Sequence, residues 1–412
     1  MELVTLGNGL RVALAPCEAE SVAFGLFVAS GSRHEPAELA GISHFIEHML
    51  FKGTPTRTPL DISRAIEGRG GMFNACTGEE ATAYFAHLPW EYLDEAVDIL
   101  SDMFLHAAMA KDEFDREKRV VLEEIRMYED DPDSVALENL QRALFPKSTL
   151  GAPVAGGEKT LMPLRPADLK RYVREHYLPL RTYAVVVGRF DRDAALRSVA
   201  SRLGRFGGRA EKGAYRAPRG RSAKYGRVVP SVVKAKDVQQ TRIAVGYRTF
   251  GLTDRRMYAA AVFDAILGRG MSSRLFQEVR EKRGLSYDIS SRMQFFSDAG
   301  MWMVAAGVEP AKAEAALETV DRELKRIRER RVGAAELKRV KDFMLGNFRL
   351  AHERVTAKLH FYGQTLLAFG RAVEPEEQVR GVAAVTADDV LAVANDILDP
   401  STRAISRVVP QS

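Results

Sequence analysis

The segment His44-Phe45-Ile46-Glu47-His48 lies inside Gly41-Ile-Ser-His-Phe-Ile-Glu-His-Met-Leu-Phe-Lys-Gly-Thr54, and it constrains this chain more than any other stretch. At about 100° per residue, a helix places His44, Glu47 and His48 within one arc of roughly 100° and Ile42, Phe45, Ile46, Met49 and Leu50 on the other side. One face is apolar and must pack. The other carries two imidazoles and a carboxylate, a poor combination for solubility alone. Two histidines four apart with a glutamate between them form a zinc site with its own general base when the segment is helical. The bland alternative is a surface turn with two solvated histidines, so the reading turns on a third ligand.

Zinc held by two histidines needs a further Asp, Glu, His or Cys and an open position for water. Asp115-Arg-Glu-Lys-Arg-Val-Val-Leu-Glu-Glu-Ile-Arg-Met-Tyr128 offers one. Phe114, Val120, Val121, Ile125 and Tyr128 mark an apolar helical stripe. Glu117 and Glu124, two turns apart, point into that stripe, whereas Glu123 points to the solvated side. A carboxylate on a buried face is costly unless a cation compensates it. Zinc would compensate Glu124. Glu117 could orient a ligand without touching the metal, or assist with protons.

With these residues in place, the chain resembles the inverted zincins of the pitrilysin and insulysin type. It is most similar to the short branch that includes the mitochondrial processing peptidase β subunit and its bacterial relatives. The family pattern is H-x-x-E-H followed by an E-x-x-x-x-x-x-E helix, and the interval from His48 to Glu124 fits it. The resemblance also covers Leu6-Gly-Asn-Gly-Leu-Arg-Val12, Lys52-Gly-Thr54, Gly70-Gly71 and Asn74-Ala75, and it continues into the second half. It implies one Zn2+ per chain held by His44, His48 and Glu124, Glu47 as base, and Glu117 in a supporting catalytic role.

Length and composition bound the rest. A chain of 412 residues exceeds one core, so two domains are expected. The reading is α+β: two similar α/β-sandwich domains, a duplicated unit, at 1–205 and 229–412, joined by a basic Gly/Arg-rich linker at 206–228. The second domain repeats the element order without the metal motif, its apolar helix Met257 to Leu267 standing in the place of the zinc helix. A second helix there is expected from Ser272 to Lys282. No apolar run approaches a membrane span, and no signal peptide is visible, so the cytoplasm is the expected compartment. Cys17 and Cys76 cannot build a disulfide framework and are expected as buried thiols. The net charge is +5, with Lys and Arg concentrated between Arg202 and Lys236. Nucleic-acid binding would want aromatics interleaved with that charge on a folded platform, and neither a nucleic acid nor a membrane is expected as partner.

Peptide hydrolysis also needs something to hold the substrate in register and something to steady the carbonyl. The strand Gly71–Cys76 is a candidate sheet edge for an extended peptide, and the resemblance makes Asn74 and Ala75 substrate-binding positions. It likewise makes Arg280 and Tyr287, seven apart, a pair facing the zinc across an enclosed chamber, with Tyr287 assisting catalysis. The family builds its chamber from two such two-domain units, which implies a homodimer or a heterodimer with a related subunit. The expectation is therefore a zinc metalloendopeptidase acting on peptides or unstructured polypeptide. The alternative is a non-catalytic partner or assembly subunit of the same fold.

Overall fold

The computed structural model describes residues 1–207 and 225–411. The first elements in chain order are β1 (Glu2–Thr5), β2 (Arg11–Pro16), β3 (Ser21–Val28), α1 (Ile42–Leu50), α2 (Pro59–Glu67), β4 (Met72–Thr77) and β5 (Thr82–Pro89). There follow α3 (Leu93–His106), α4 (Lys111–Asp130), α5 (Pro132–Leu144), α6 (Glu158–Leu161), α7 (Pro166–His176), β6 (Thr182–Gly188) and α8 (Arg192–Leu203). The second half contains β7 (Ser231–Lys236), β8 (Thr241–Thr249), α9 (Met257–Gly268), β9 (Ser286–Phe295) and β10 (Gly300–Val308). It ends with α10 (Ala313–Glu329), α11 (Ala334–Ala351), α12 (Val355–Phe369), α13 (Pro375–Ala384), α14 (Ala387–Ile397) and β11 (Arg403–Pro410).

The first sheet has the order β1-β2-β6-β3-β5-β4 and the second β7-β11-β8-β10-β9. Leave out β1 and the two are the same design. Each places its first strand parallel to its last, then runs antiparallel through its second, fourth and third strands. The chain is thus two similar α+β domains. In both, the third strand (β4 and β9) lies at a free sheet edge, and a helix (α1 and α9) connects the second strand to it.

Packing divides the chain into two units that are not contiguous in sequence. One contains Met1–Ile125, the segment from Pro153 and Arg349–Glu374. The other contains Arg126–Ala152, the segment reaching Phe348 and the chain from Pro375. The sequence domains 1–205 and 229–412 therefore differ from the packing units by one helix each, α5 and α12. The reason is visible in the strands. β3 is buried along nearly its whole length. Its Phe24 and Leu26 face the core that contains α1 and α3, and its Ala23 and Phe27 face Leu359, Tyr362 and Leu366 of α12. A strand apolar on both faces needs a cover on each. Leu359 and Leu366 are fully buried, each contributing roughly 2 kcal/mol. Gly363 allows the close approach, since a Cβ there would lie 2.3 Å from the Phe27 ring. In the other unit Leu140 and Leu144 of α5 cover β8, β10 and β11 in the same way. Most of the expected linker, 208–224, lies outside the described residues.

Two smaller expectations are corrected. The helix expected from Ser272 to Lys282 is wound as a π-helix over Phe276–Glu281. Neither cysteine is a buried thiol: Cys17 is half-buried and Cys76 is exposed, because Cys76 sits on an edge strand whose two faces are both incompletely covered. Among the described residues no helix is long and apolar enough to cross a membrane.

Candidate metal centre

Helix α1 begins at Gly41, whose positive φ of 95° turns the chain into the helix. Its first amides are capped from outside the helix. The backbone N–H groups of Gly41 and Ser43 each donate to a different oxygen of Glu35, both at 2.7 Å. Burial pushes the Glu35 carboxyl up to about 7, against those backbone hydrogen bonds, which favour the charged form. Ile42, Phe45, Ile46, Met49 and Leu50 are buried as the periodicity requires.

Helix α4 packs against α1 through Phe45 and Phe114, whose ring centroids are 4.8 Å apart. Phe114, Glu117, Val121 and Ile125 are buried, while Val120 and Tyr128 of the expected stripe are exposed. Glu123 is exposed and Glu124 half-buried, which matches the faces read from the sequence.

This packing brings His44, His48 and Glu124 together, with ligand atoms all within 4.8 Å of one another. The Nε2 atoms of His44 and His48 lie 3.6 and 3.3 Å from the two oxygens of Glu124. Donors bound tetrahedrally at zinc's usual 2.0–2.2 Å stand about 3.4 Å from one another, so these separations suit that ion. Their side chains are 12, 20 and 22% exposed, sheltered yet open on one side. Burial, then the neighbouring His48, drives the His44 pKa down to about 4 against the pull of Glu124, leaving a neutral imidazole. Burial also disfavours charged His48, but its hydrogen bond to Glu117 and the charges of Glu124, Glu117 and Glu47 outweigh it and raise its pKa.

Glu47 lies on the same face and accepts a hydrogen bond from the Thr77 hydroxyl of β4. Burial raises its pKa and the Glu124 charge adds to this, while Thr77 and His48 pull the other way. Glu117 does not join the ligand cluster. Its two oxygens meet His48 Nδ1 at 2.8 Å and Lys52 Nζ at 2.6 Å. Burial works to protonate it, but these two partners prevail and lower its pKa. The Nδ1 of His44 is buried with no hydrogen-bond partner among the described residues.

Residues 11–158 match the family described as "Insulinase (Peptidase family M16)", and residues 163–344 match the "Peptidase M16 inactive domain". The chain belongs to peptidase family M16. Among its relatives, an uncharacterized zinc protease of Bacillus subtilis is 32% identical over 95% of this chain and 94% of its own. One from Streptomyces coelicolor is 34% identical over 96% of this chain and 86% of its own. The crystal structure of a protease from Helicobacter pylori shares the fold with a TM-score of 0.92, at 21% identity over 99% of both chains.

In M16 terms the His-His-Glu cluster falls in the first matched segment and Arg280 and Tyr287 in the second. Asn74 and Ala75 lie on the edge strand β4. The Ala75 N–H donates to the Asn74 side-chain oxygen at 2.8 Å. Arg280 and Tyr287 are together: the guanidinium lies 4.9 Å from the centre of the Tyr287 ring, and Tyr287 is 77% exposed on edge strand β9. A cavity of about 520 Å3 in the first unit, lined by Leu50, Phe104, Met109, Val173, Tyr177 and Phe206 among others, contains none of these residues. Sequence reasoning missed Glu35, Lys52 and Thr77 as partners of the site. Lys52 had a signal, standing four residues after His48. Thr77 and Glu35 had none, because they reach α1 only through the fold.

Proposed function

We propose that this chain is a zinc-dependent metalloendopeptidase, with one ion per chain, that cleaves peptides or unstructured polypeptide segments inside a chamber formed by two subunits. The observation that carries the reading is the convergence of His44, His48 and Glu124 with the Glu47 carboxylate beside them. Zinc held there supplies Lewis acidity, lowering the pKa of a water and polarising a peptide carbonyl.

The chain's own residues do the rest. Glu47 takes the proton of the attacking water and delivers it to the leaving amine. Its raised proton affinity suits a group that must both accept and return a proton, and the Thr77 hydroxyl holds one of its oxygens. Edge strand β4 takes the substrate as an added strand, through main-chain hydrogen bonds that hardly depend on sequence. In doing so the peptide replaces Asn74 Oδ1 as acceptor for the Ala75 amide. Tyr287 offers a hydroxyl to the carbonyl oxygen as charge develops, and Arg280 offers donors to neighbouring carbonyls. These two serve the zinc site of the partner subunit, either a second copy or a related chain. Their support is the pairing of Arg280 with the exposed Tyr287 of β9, a poor place for an idle tyrosine.

The test is cleavage of unstructured peptides by the purified chain. A chelator abolishes it and zinc restores it, while undiminished activity in chelator sinks the reading. Glu47→Gln keeps zinc but loses turnover by about 10²–10⁴-fold, the usual contribution of a general base. A zinc-loaded wild type with no cleavage of any peptide would favour the silent-partner alternative.

A further inference from the structure

Lys52-Gly53-Thr54 follows the zinc-site helix directly and has no part in the mechanism above. Its surroundings are closely hydrogen-bonded. Gly53 has a φ of 98°, a left-handed turn, and a Cβ there would lie 2.9 Å from the Arg57 carbonyl. The Gly53 carbonyl accepts from the Ala108 amide at 2.9 Å. The Thr54 hydroxyl donates to Asp102 at 2.8 Å and accepts from the Arg57 amide at 3.1 Å. Arg57 in turn grips Asp98 and Asp102 of α3, each at 2.5 Å. The strap is therefore fastened to α3, and it delivers the Lys52 ammonium to one place: Glu117 Oε2, 2.6 Å away.

That contact has a chemical consequence. The Glu117 side chain is 7% exposed, and a carboxylate so buried needs a compensating charge. Lys52 provides it on one oxygen. The other oxygen, an acceptor only, faces His48 Nδ1 at 2.8 Å. The proton on that nitrogen then donates to Glu117, and the ring's lone pair stays on Nε2, 3.3 Å from Glu124. Which imidazole nitrogen binds a metal is set by the hydrogen bond the other one makes. His44 has no such device, since its Nδ1 meets no partner among the described residues.

We propose that Lys52 is a positioning residue of the metal centre: acting through Glu117, it fixes His48 with Nδ1 protonated and Nε2 free for the ion. This rests on the zinc reading above. The test compares zinc dissociation constants of the full chain, by competition with a fluorescent chelator, for wild type, Lys52→Met, Lys52→Arg, Glu117→Gln and the Lys52→Met/Glu117→Gln double variant. Lys52→Met weakens zinc about 10–100-fold, the usual cost of losing a residue that supports a ligand. Lys52→Arg recovers most of that loss. The double variant binds no worse than Glu117→Gln alone, because Lys52 acts only through Glu117. Nitrogen-15 spectra of the wild type, at a pH where the imidazoles are neutral, show His48 protonated at Nδ1.

Wild-type affinity in a folded Lys52→Met chain would overturn the proposal, as would multiplying effects in the double variant. If Lys52→Met fails to fold, the spectrum decides: His48 protonated at Nε2 overturns the assignment. A wild type that binds zinc no better than His48→Ala defeats the zinc reading itself, and is told apart by that comparison alone.

Discussion

Helices α1 and α9 occupy the same place in two copies of one topology, and each carries buried polar groups, yet they treat those groups differently. In α9 the acid is Asp264, fully buried. Trp302 Nε1 donates to it at 2.9 Å, Ser291 Oγ at 2.6 Å and Arg269 Nε at 2.6 Å. Every oxygen is spoken for, so the group can only hold structure. In the first copy, by contrast, His44 Nε2 and His48 Nε2 of α1 converge on the two oxygens of Glu124 in α4, at 3.6 and 3.3 Å. Three side chains at those separations suit a shared cation once the imidazoles are neutral. The same place in the duplicated topology thus bears a fully hydrogen-bonded structural acid in one copy and a converging ligand cluster in the other.

The largest effect that could break this contrast is loss of metal. His48→Ala or Glu124→Gln should strip zinc from the chain, measured as metal per protein after dialysis, because two remaining ligands do not hold this ion. Full zinc occupancy in either variant would mean that the substituted residue is not a ligand of the ion. Asp264→Ala should do the reverse: zinc content stays at the wild-type value while stability falls by about 3 kcal/mol, the cost of stranding the partners of a buried charge. Urea unfolding reads that loss. An unchanged midpoint would show that Asp264 is not the structural counterpart argued here.

Much of the first half of this contrast was legible beforehand. The H-x-x-E-H arc and the buried side of α4 with Glu117 and Glu124 on it follow from helical periods that the packing respects, while the edge position of β4 matches what the family resemblance suggested. The exchange of α5 and α12 between packing units was not. The apolar residues of α12 say that it buries a face, but nothing in Leu359, Tyr362 or Leu366 says against which sheet. That choice is made by β3, whose residues are apolar on both sides. The exposure of Cys76 was missed because strand alternation assigns faces without saying how well each is covered. The π-winding at Phe276–Glu281 left no sequence mark that could be read.

A smaller effect separates how the two helices begin. Arg256 precedes α9 and gives it no side-chain cap, whereas α1 starts on the buried Glu35 carboxyl. The folded-state pKa of Glu35, about 7, lies above its ordinary value of 4.5. Between those values the folded chain keeps a proton that the unfolded chain has released. This contribution to stability is therefore complete below pH 4.5, falls as pH rises, and is gone above about 7. At 1.36 kcal/mol per unit it amounts to at most about 3 kcal/mol. Glu35→Gln should flatten the dependence of the urea midpoint on pH across this window. An identical slope in the variant would remove Glu35 as its source.

The least dramatic signal is the most telling about why the second copy exists. If Tyr287 serves the zinc site of the partner subunit, a Glu47→Gln chain and a Tyr287→Phe chain are each inactive but complementary. A mixed dimer pairs one intact zinc site with one intact Arg280–Tyr287 pair. Random exchange makes half of the dimers mixed, each with one working site of two, so about a quarter of wild-type activity should return. Peptide cleavage after mixing, with exchange verified by differently tagged chains, measures it. Recovery would mean that the half without metal was retained for what it lends to another molecule's centre. No recovery despite proven exchange would place the pair within its own chain, or outside catalysis, and the contrast between α1 and α9 would then be one of chemistry against scaffold alone.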